Sequence, residues 1–153
     1  MKILAATDLT ALSQLAQRSP RLRANSNLHQ ELADPIQRLA IAMEPATLIP
    51  PHRHPQTWEV LTTLRGRFTV LLFDDDGRVS GRAVLGEEAS VVEVPIGGWH
   101  AVLSHDSGGV IFEVKHGPYR PIGEVDIAKW SAGRTAKELT EWYAVARMGD
   151  TFS

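Results

Sequence analysis

The sequence predicts an all-β fold with a helix at each end. Between residues 37 and 115, short segments alternate apolar and polar residues at the two-residue period of a β-strand. Short connectors rich in glycine, proline and aspartate separate these segments, at the spacing typical of antiparallel sandwiches and barrels. The spacing leaves no room for the crossover helices that a parallel sheet requires. A single antiparallel β-domain is therefore predicted for this 153-residue chain.

Residues 1–36 are predicted to form an N-terminal helix followed by a polar lid segment. Asp8 is placed to cap the helix, which should end near Ser19 because the residue before a proline disfavours the α conformation. Residues 21–35 are polar and mixed, and they are interpreted as a loop. The apolar residues that recur at helical spacing are Leu9, Leu12, Leu15 and Ala16.

Residues 37–116 are predicted to form the barrel itself, from seven strands. The connector 74–77 reads Asp-Asp-Asp-Gly, which indicates a hairpin turn. It lacks the alternating ligands and distant glutamate of an EF-hand, so a calcium loop is not predicted. The seven predicted strands cover residues 37–44, 58–65, 67–73, 78–85, 90–95, 99–104 and 109–115.

Residues 117–153 are predicted to form a C-terminal extension with a short helix. Thr135 and Glu138 have the spacing of a capping box. The apolar side of this helix should pack against the barrel or against a partner subunit. Its residues are Leu139, Trp142, Tyr143 and Ala146.

Composition excludes several classes of function. The chain has no cysteine, which rules out disulfides, thiolate zinc sites and cysteine nucleophiles. Its formal net charge of −2 provides no general attraction to nucleic acid or to anionic membranes. The N-terminus lacks the apolar core of a signal peptide, and no stretch approaches the ~20 apolar residues that cross a bilayer. We therefore expect a cytoplasmic protein whose ligand is a small molecule.

Two short motifs indicate a metal site. The first contains His52, His54, Glu59 and Gly66 in the pattern H-x-H-x4-E-x6-G, and the second ends the segment PIGGWH at His100. Residues i and i+2 of a strand share a face, so the first two imidazoles should project together. Pro55 interrupts that strand, which allows Glu59 to face inward despite its odd spacing. Three imidazoles and one carboxylate suit a divalent first-row metal with open coordination positions.

The two motifs resemble those of the cupin superfamily, whose fold is a double-stranded β-helix, or jelly-roll barrel. The segments NLHQELADPIQRLAIAMEPATLIPPHRHP, VLLFDDDGRV and FEVKHGPYRP resemble the WbuC-type cupins of surface-polysaccharide and O-antigen gene clusters. The resemblance covers roughly residues 8–122. It implies one divalent transition metal, such as Zn, Fe, Mn or Ni, held by His52, His54, Glu59 and His100. Three motif positions depart from the superfamily pattern: Ala46, Ala89 and Ser104.

Further side chains are candidates for the pocket. The last strand allows two alternatives. In the first, Val110, Phe112 and Val114 are buried, and Glu113 and Lys115 are exposed to solvent. In the second, Glu113 and Lys115 line the pocket as a general base and an anion-binding cation. Strand parity alone leaves both alternatives open. Tyr119 is a candidate proton donor, and His105, in a turn, is expected to be exposed. The lid segment could bring three more residues to a ligand: Arg23, Asn27 and His29.

The sequence supports three functional hypotheses. The first is a metal-dependent isomerase or epimerase that acts on a sugar or sugar nucleotide in surface-polysaccharide biosynthesis. The second is a non-haem Fe(II) oxygenase with the same ligands. The third is a non-enzymatic module that binds a small ligand through its metal. A homodimer is also expected, formed through an edge strand or the apolar faces of the terminal helices.

Overall fold

The computed structural model describes residues 1–152 and shows a barrel built from two antiparallel sheets. The larger sheet has the strand order β1-β2-β8-β3-β6, and the smaller has the order β5-β4-β7. The strands are β1 (Arg23–Asn27), β2 (Ile36–Met43), β3 (Glu59–Arg65), β4 (Phe68–Phe73), β5 (Val79–Leu85), β6 (Val91–Val94), β7 (Trp99–Ser104) and β8 (Gly109–His116).

This architecture confirms the predicted fold class, and all seven predicted strands are present with closely similar bounds. The predicted loop at residues 21–35 is wrong in part, because residues 23–27 form β1, which pairs antiparallel with β2. The side chains of Arg23, Asn25 and Asn27 line a cavity rather than a dry core. A polar strand of this kind carries no apolar alternation, which explains why the sequence pattern did not indicate it.

The main core lies between the two sheets. Alternate residues of facing strands interdigitate there, as in other sheet-on-sheet packings. Some of these side chains also line the cavity described below, so the core and the cavity share the space between the sheets. The fully or nearly buried members are Met43, Ile49, Leu61, Phe68, Val70, Leu85, Val94, Val102 and Ile111.

The N-terminal helix, α1 (Ala6–Arg18), covers the outer face of the larger sheet. Its residues Leu12 and Ala16 pack on Ala40, Ala42 and Val110. The small alanine side chains allow the helix to approach the sheet closely. α1 thus removes from water a sheet face that would otherwise be exposed, and it holds β2 and β8 from behind.

Two details of the predicted N-terminal helix are wrong. The cap position is Ala5, and Asp8 instead lies three residues inside, where its carboxylate accepts a hydrogen bond from the Ala5 N–H at 2.8 Å. Leu15 is 59% exposed. Ser13 lies on the buried face in its place, because its hydroxyl donates to the Gly108 carbonyl at 2.9 Å and ties the helix to the β7–β8 turn.

The C-terminal helix, α2 (Ala136–Val145), covers the smaller sheet. Thr135 and Glu138 form the predicted capping box. Leu139, Tyr143 and Ala146 are buried against β4, β5 and β7. The apolar faces of both helices are therefore covered by the chain's own sheets. The predicted packing of the C-terminal helix against the barrel is thus observed, and the homodimer stays a prediction.

The remaining connectors are turns. Gly77 closes the β4–β5 hairpin with a positive φ of 81°, as the Asp-Gly pattern predicted. Asp74 accepts hydrogen bonds from the backbone N–H groups of Asp76 and Arg78, so this carboxylate stabilises the turn. No helix within residues 1–152 has the length and apolar character needed to span a membrane. Ser153, the last residue of the predicted C-terminal extension, lies outside the described residues.

Candidate metal centre and ligand cavity

The two motifs meet because their backbones pair. His52 and His100 form an antiparallel bridge, in which the His52 N–H donates to the His100 carbonyl at 3.0 Å and the His100 N–H donates to the His52 carbonyl at 2.8 Å. Gly97, whose φ is 74°, donates its N–H to the His54 carbonyl at 2.9 Å. The tight glycine turn therefore brings β7 against the H-x-H segment.

The three histidine side chains converge at one point. The ring centroids of His52 and His100 are 4.2 Å apart, and those of His54 lie 5.2 and 5.6 Å from them. One ring nitrogen of each residue lies within 4.8 Å of the other two, a spacing at which all three could bind one metal ion. His52 and His100 are buried, and His54 is partly buried.

Backbone carbonyls orient two of the rings. The Nδ1–H of His52 donates to the Pro50 carbonyl at 2.9 Å, and the Nδ1–H of His100 donates to the Gly98 carbonyl at 3.0 Å. Because a carbonyl only accepts, each Nδ1 holds the ring proton and each Nε2 presents a lone pair. Burial, assisted by the nearby His100, lowers the pKa of His52 to about 3. The ring is therefore neutral, as a metal ligand must be.

Glu59 supplies an oxygen beside these nitrogens. Its Oε2 lies 2.9 Å from the Nε2 of His100 and 3.5 Å from the Nε2 of His54. This oxygen is buried and has no hydrogen-bond partner among residues 1–152. An oxygen lone pair and an unprotonated Nε2 at such a distance repel each other unless a cation lies between them. The donor set therefore fits a divalent metal.

Glu113 and Lys115 lie on the cavity side of β8, which is the second of the two alternatives that strand parity left open. The Nζ of Lys115 lies 2.7 Å from Oε1 of Glu113, 3.9 Å from Oε1 of Glu59 and 3.5 Å from Nε2 of His54. Burial and the neighbouring Glu59 carboxylate raise the pKa of Glu113 well above its usual range. The pair forms a hydrogen-bonded wall next to the candidate metal ligands.

A cavity of about 640 Å³ opens from this centre to the surface. Its back wall is the inner face of the larger sheet, with Leu39, Ile41 and Met43 of β2 supplying an apolar surface. The polar row of β1 lies beside them. Tyr119, which is 51% exposed, lies at the mouth. The volume is that of a typical site for a small organic molecule.

The lid residues have different environments. Arg23 and Asn27 line the cavity, with Asn27 exposed at its edge. His29 is only 4% exposed, and its Nδ1 accepts a hydrogen bond from the Arg38 N–H at 2.9 Å. His105 is partly buried, and its Nε2 lies 2.7 Å from the Thr69 hydroxyl, so the prediction of an exposed histidine is wrong.

Several cavity residues were not predicted from the sequence, among them the polar residues Arg21, Asn25 and Arg120. Arg21 and Asn25 belong to the region interpreted as loop, and Arg120 follows the last strand. The signal that could have indicated two of them is the polar alternation Arg21-x-Arg23-x-Asn25-x-Asn27, which has the two-residue period of a strand.

Comparison with known families gives one match. A family model described as a domain of unknown function (DUF6016) matches residues 4–85, which is more than half of the chain. The matched part includes three of the four proposed metal ligands, His52, His54 and Glu59. No curated protein matches the sequence.

Several solved structures share the fold at low sequence identity. KdgF from Halomonas sp. is 13% identical, with a TM-score of 0.52 over 67% of this chain and 85% of that protein. A recombinant oxalate oxidase solved in complex with glycolate is 18% identical, with a TM-score of 0.55 over 71% of this chain. The DMSP lyase DddQ from Ruegeria pomeroyi DSS-3 is 21% identical, with a TM-score of 0.53 over 73% of this chain.

This chain spans 58% of the oxalate oxidase and 54% of the lyase. At such identities the likeness shows the fold alone, which is the cupin jelly-roll barrel.

Proposed function

The chain belongs to the DUF6016 family, and from its site we propose that it is a metal-dependent enzyme acting on a small polar molecule. One observation carries the proposal: three histidine nitrogens and an unpartnered, buried carboxylate oxygen converge at the base of an open cavity. A purely structural metal site would be closed by protein ligands, whereas this one faces a space in which a substrate fits.

His52, His54, His100 and Glu59 would hold the metal. When bound, a divalent transition metal supplies Lewis-acid chemistry that polarises an oxygen of the ligand. Glu113 lies on the neighbouring strand, where its carboxyl group would hold or transfer a proton at the ligand carbon or hydroxyl. Lys115 lies beside both carboxyl groups and keeps Glu113 in place through the 2.7 Å contact. The apolar wall of β2 excludes water from the inner part of the cavity.

We propose a sugar or sugar nucleotide of surface-polysaccharide biosynthesis as the substrate, and isomerisation or epimerisation as the reaction. The resemblance of three segments to WbuC-type cupins supports this choice. The cavity also contains polar groups suited to hydroxyl recognition, since the amides of Asn25 and Asn27 line it. Both reactions require a proton to be moved next to a polarised oxygen, which is the role assigned to Glu113.

Metal analysis tests the proposal directly. The untagged wild-type protein and the variant His52→Ala/His54→Ala are purified together and examined by inductively coupled plasma mass spectrometry. We expect about one divalent metal per wild-type chain, as for one His/carboxylate site, and none in the variant. His105→Gln is the matched control, because this histidine lies outside the cavity lining; it should keep the metal.

The identity of the metal then directs the assays. Iron accompanied by oxygen consumption with a bound substrate would indicate an Fe(II) oxygenase instead of an isomerase. Ligand-induced stabilisation without turnover would indicate a binding module. A wild-type protein that takes up no metal after reconstitution contradicts the proposal, as does metal retained in the double variant.

We further propose that the protein acts in the cytoplasm as a homodimer joined through an edge strand. The larger sheet ends at β1 and β6, and these two outermost strands are the candidates for pairing. In the smaller sheet, the backbones of β5 and β7 already bond in part to the segments around Asp150 and His52. Multi-angle light scattering on the eluting protein measures the mass. A mass of one chain at micromolar concentration contradicts the dimer.

A further inference from the structure

Arg23 is a half-buried cation without a partner. It lies on β1, pairs in register with Met43 of β2, and directs its side chain into the wall of the cavity. Among residues 1–152 its guanidinium forms no salt bridge and no side-chain hydrogen bond. A desolvated charge is unfavourable unless an opposite charge or acceptors compensate for it. Burial and the nearby Arg21 lower the pKa of Arg23, which agrees with this missing compensation.

Other arginines around the cavity add to its excess of positive charge. Arg21 and Arg120 also line it, and neither has a salt bridge within the described chain. Arg120 makes one hydrogen bond, at 3.3 Å, to the Gln56 amide oxygen. The carboxylates of the lining are those of Glu59 and Glu113, which already face the histidines and Lys115. Among the carboxylates of the described lining, only Glu113 acts on Arg23, and burial together with Arg21 outweighs its effect on the Arg23 pKa.

A neutral donor in the same wall also lacks an acceptor. His29 lines the cavity, and its Nδ1 lies 2.9 Å from the Arg38 backbone nitrogen and 3.0 Å from the Arg38 carbonyl oxygen. Because the backbone N–H can only donate, while the Arg38 carbonyl already accepts the Leu28 N–H, we assign the ring proton to Nε2. This Nε2 is buried and has no hydrogen-bond partner among residues 1–152. Buried polar groups are nearly always paired. Arg23 and His29 thus provide donors in one wall whose side chains have no hydrogen-bond acceptor in reach among residues 1–152.

We propose that the β1 wall of the cavity is a subsite for an oxyanion, and that the ligand carries a carboxylate or a phosphate group. Arg23 binds this group through its planar guanidinium, which matches two oxygens of either anion. His29 donates to a ligand oxygen through Nε2–H. Arg21 and Arg120 attract the anion at the mouth. The ligand therefore spans the cavity between this subsite and the metal centre.

The inference deepens the proposed function by naming the chemical class of the ligand, and it rests on that function in taking this cavity as the ligand site. It remains separable by experiment. The metal centre is removed by His52→Ala/His54→Ala, whereas the oxyanion subsite is removed by Arg23→Gln. Each change leaves the side chains of the other site in place.

The test is calorimetric titration of the full chain with inorganic phosphate and, separately, with acetate, at constant ionic strength. Chloride serves as the reference anion. We expect saturable phosphate or acetate binding to the wild type, weakened about tenfold or more in Arg23→Gln, because a charge-assisted hydrogen-bonded pair is lost. Arg23→Lys keeps the charge but not the planar fork, so its affinity should lie between the two. Comparing the two anions distinguishes a phosphate-bearing ligand from a carboxylate-bearing one.

Arg147→Gln is the matched control, since this arginine is exposed and lies outside the cavity lining. It should bind the anion like the wild type. The melting temperature of each variant without anion verifies that it is folded. The His52→Ala/His54→Ala protein should also bind the anion, which separates the subsite from any anion held by a metal. The proposal is overturned if the wild type shows no saturable binding, or if Arg23→Gln binds the anion as tightly as the wild type. It is also overturned if binding is lost in His52→Ala/His54→Ala but not in Arg23→Gln.

Discussion

Glu59 is the most informative single residue for the metal hypothesis, because its Oε2 is buried beside two histidine nitrogens with no proton donor among residues 1–152. Glu59→Gln replaces the carboxylate by a neutral amide of the same shape. We expect metal affinity to fall by about tenfold or more, since anionic oxygens bind divalent metals more strongly than amides do. Competition with a chromophoric chelator measures the change.

Glu93→Gln is the appropriate control for this variant. Glu93 lies on β6 opposite Val60 and is exposed, so its neutralisation should leave metal affinity unchanged. Equal affinities for Glu59→Gln and the wild type would show that the carboxylate is not a ligand. The three histidines would then be the protein's only metal ligands among the four proposed.

Lys115 and Glu113 form the other residue-scale unit whose energetics can be measured. Their side chains are 17% and 9% exposed, so removing Lys115 leaves the buried Glu113 carboxyl group without its partner and takes away the cation nearest to Glu59. Lys115→Met should destabilise the metal-free protein by about 3 kcal/mol, as measured for other broken buried ion pairs. Lys115→Met/Glu113→Leu should recover part of this loss, because an apolar pair replaces the isolated charge. Urea denaturation of both variants tests this, and equal losses in the two would contradict a stabilising pair.

At the scale of the elements, the two faces of β8 lie in different environments. Val110 and Phe112 pack under α1 on the outer face of the sheet, while Ile111, Glu113 and Lys115 face the interior of the barrel. Neither face of the strand meets open solvent along its middle. Because α1 covers the outer face, the apolar residues Val110 and Phe112 can point outward. The inward positions are then available for charged side chains.

The capping box of α2 gives a test at this scale. The Thr135 hydroxyl accepts the Glu138 N–H at 3.2 Å, and the Glu138 carboxylate accepts the Thr135 N–H at 2.7 Å. Thr135→Ala should lower the free energy of unfolding by about 1 kcal/mol, the usual contribution of an N-cap. Metal content should not change, because α2 packs on the smaller sheet away from the cavity. Thermal melts at pH 7 measure the loss.

The same variant has a predictable pH dependence. Hydrogen bonds from the backbone and side chain of Thr135 lower the pKa of Glu138 below its ordinary value of 4.5. A lowered folded-state pKa stabilises the fold above the unfolded value, and this contribution disappears as the pH falls through the folded value. The difference between Thr135→Ala and the wild type should therefore narrow below about pH 4.5. Only the side-chain part of the effect is removed by Thr135→Ala, so a difference that is constant with pH would show that the Thr135 hydroxyl does not contribute to the lowered pKa of Glu138.

At the scale of the whole molecule, the sequence predicted what depends on local pattern and missed what depends on packing between elements. Strand period and turn residues are local, so the barrel strands and the Gly77 hairpin were predicted. β1 was missed because its alternate side chains face a polar cavity and therefore show no apolar alternation. The face of β8 stayed undecided because parity cannot show that α1 covers one side. Leu15 was misassigned because Ser13 finds its partner, Gly108, in a distant turn.

The candidate metal ligands come from both sheets, which gives a prediction for the molecule as a whole. Glu59 begins β3 in the larger sheet, and His100 lies on β7 in the smaller one. A metal held by both should stabilise the folded state by about 2.7 kcal/mol at a free concentration 100 times its Kd. For a chain of this size that corresponds to a rise in Tm of roughly 5–10 °C. Thermal melts of the metal-free protein, titrated with zinc or manganese, measure the rise.

The His52→Ala/His54→Ala variant is the reference for this titration, because it keeps both sheets and loses two of the four proposed ligands. Its Tm should not move at the same metal concentrations. A rise of equal size in both proteins would place the bound metal elsewhere on the chain. A rise in the wild type alone, saturating at one equivalent of metal, would show that a single ion bound at this centre stabilises the entire barrel.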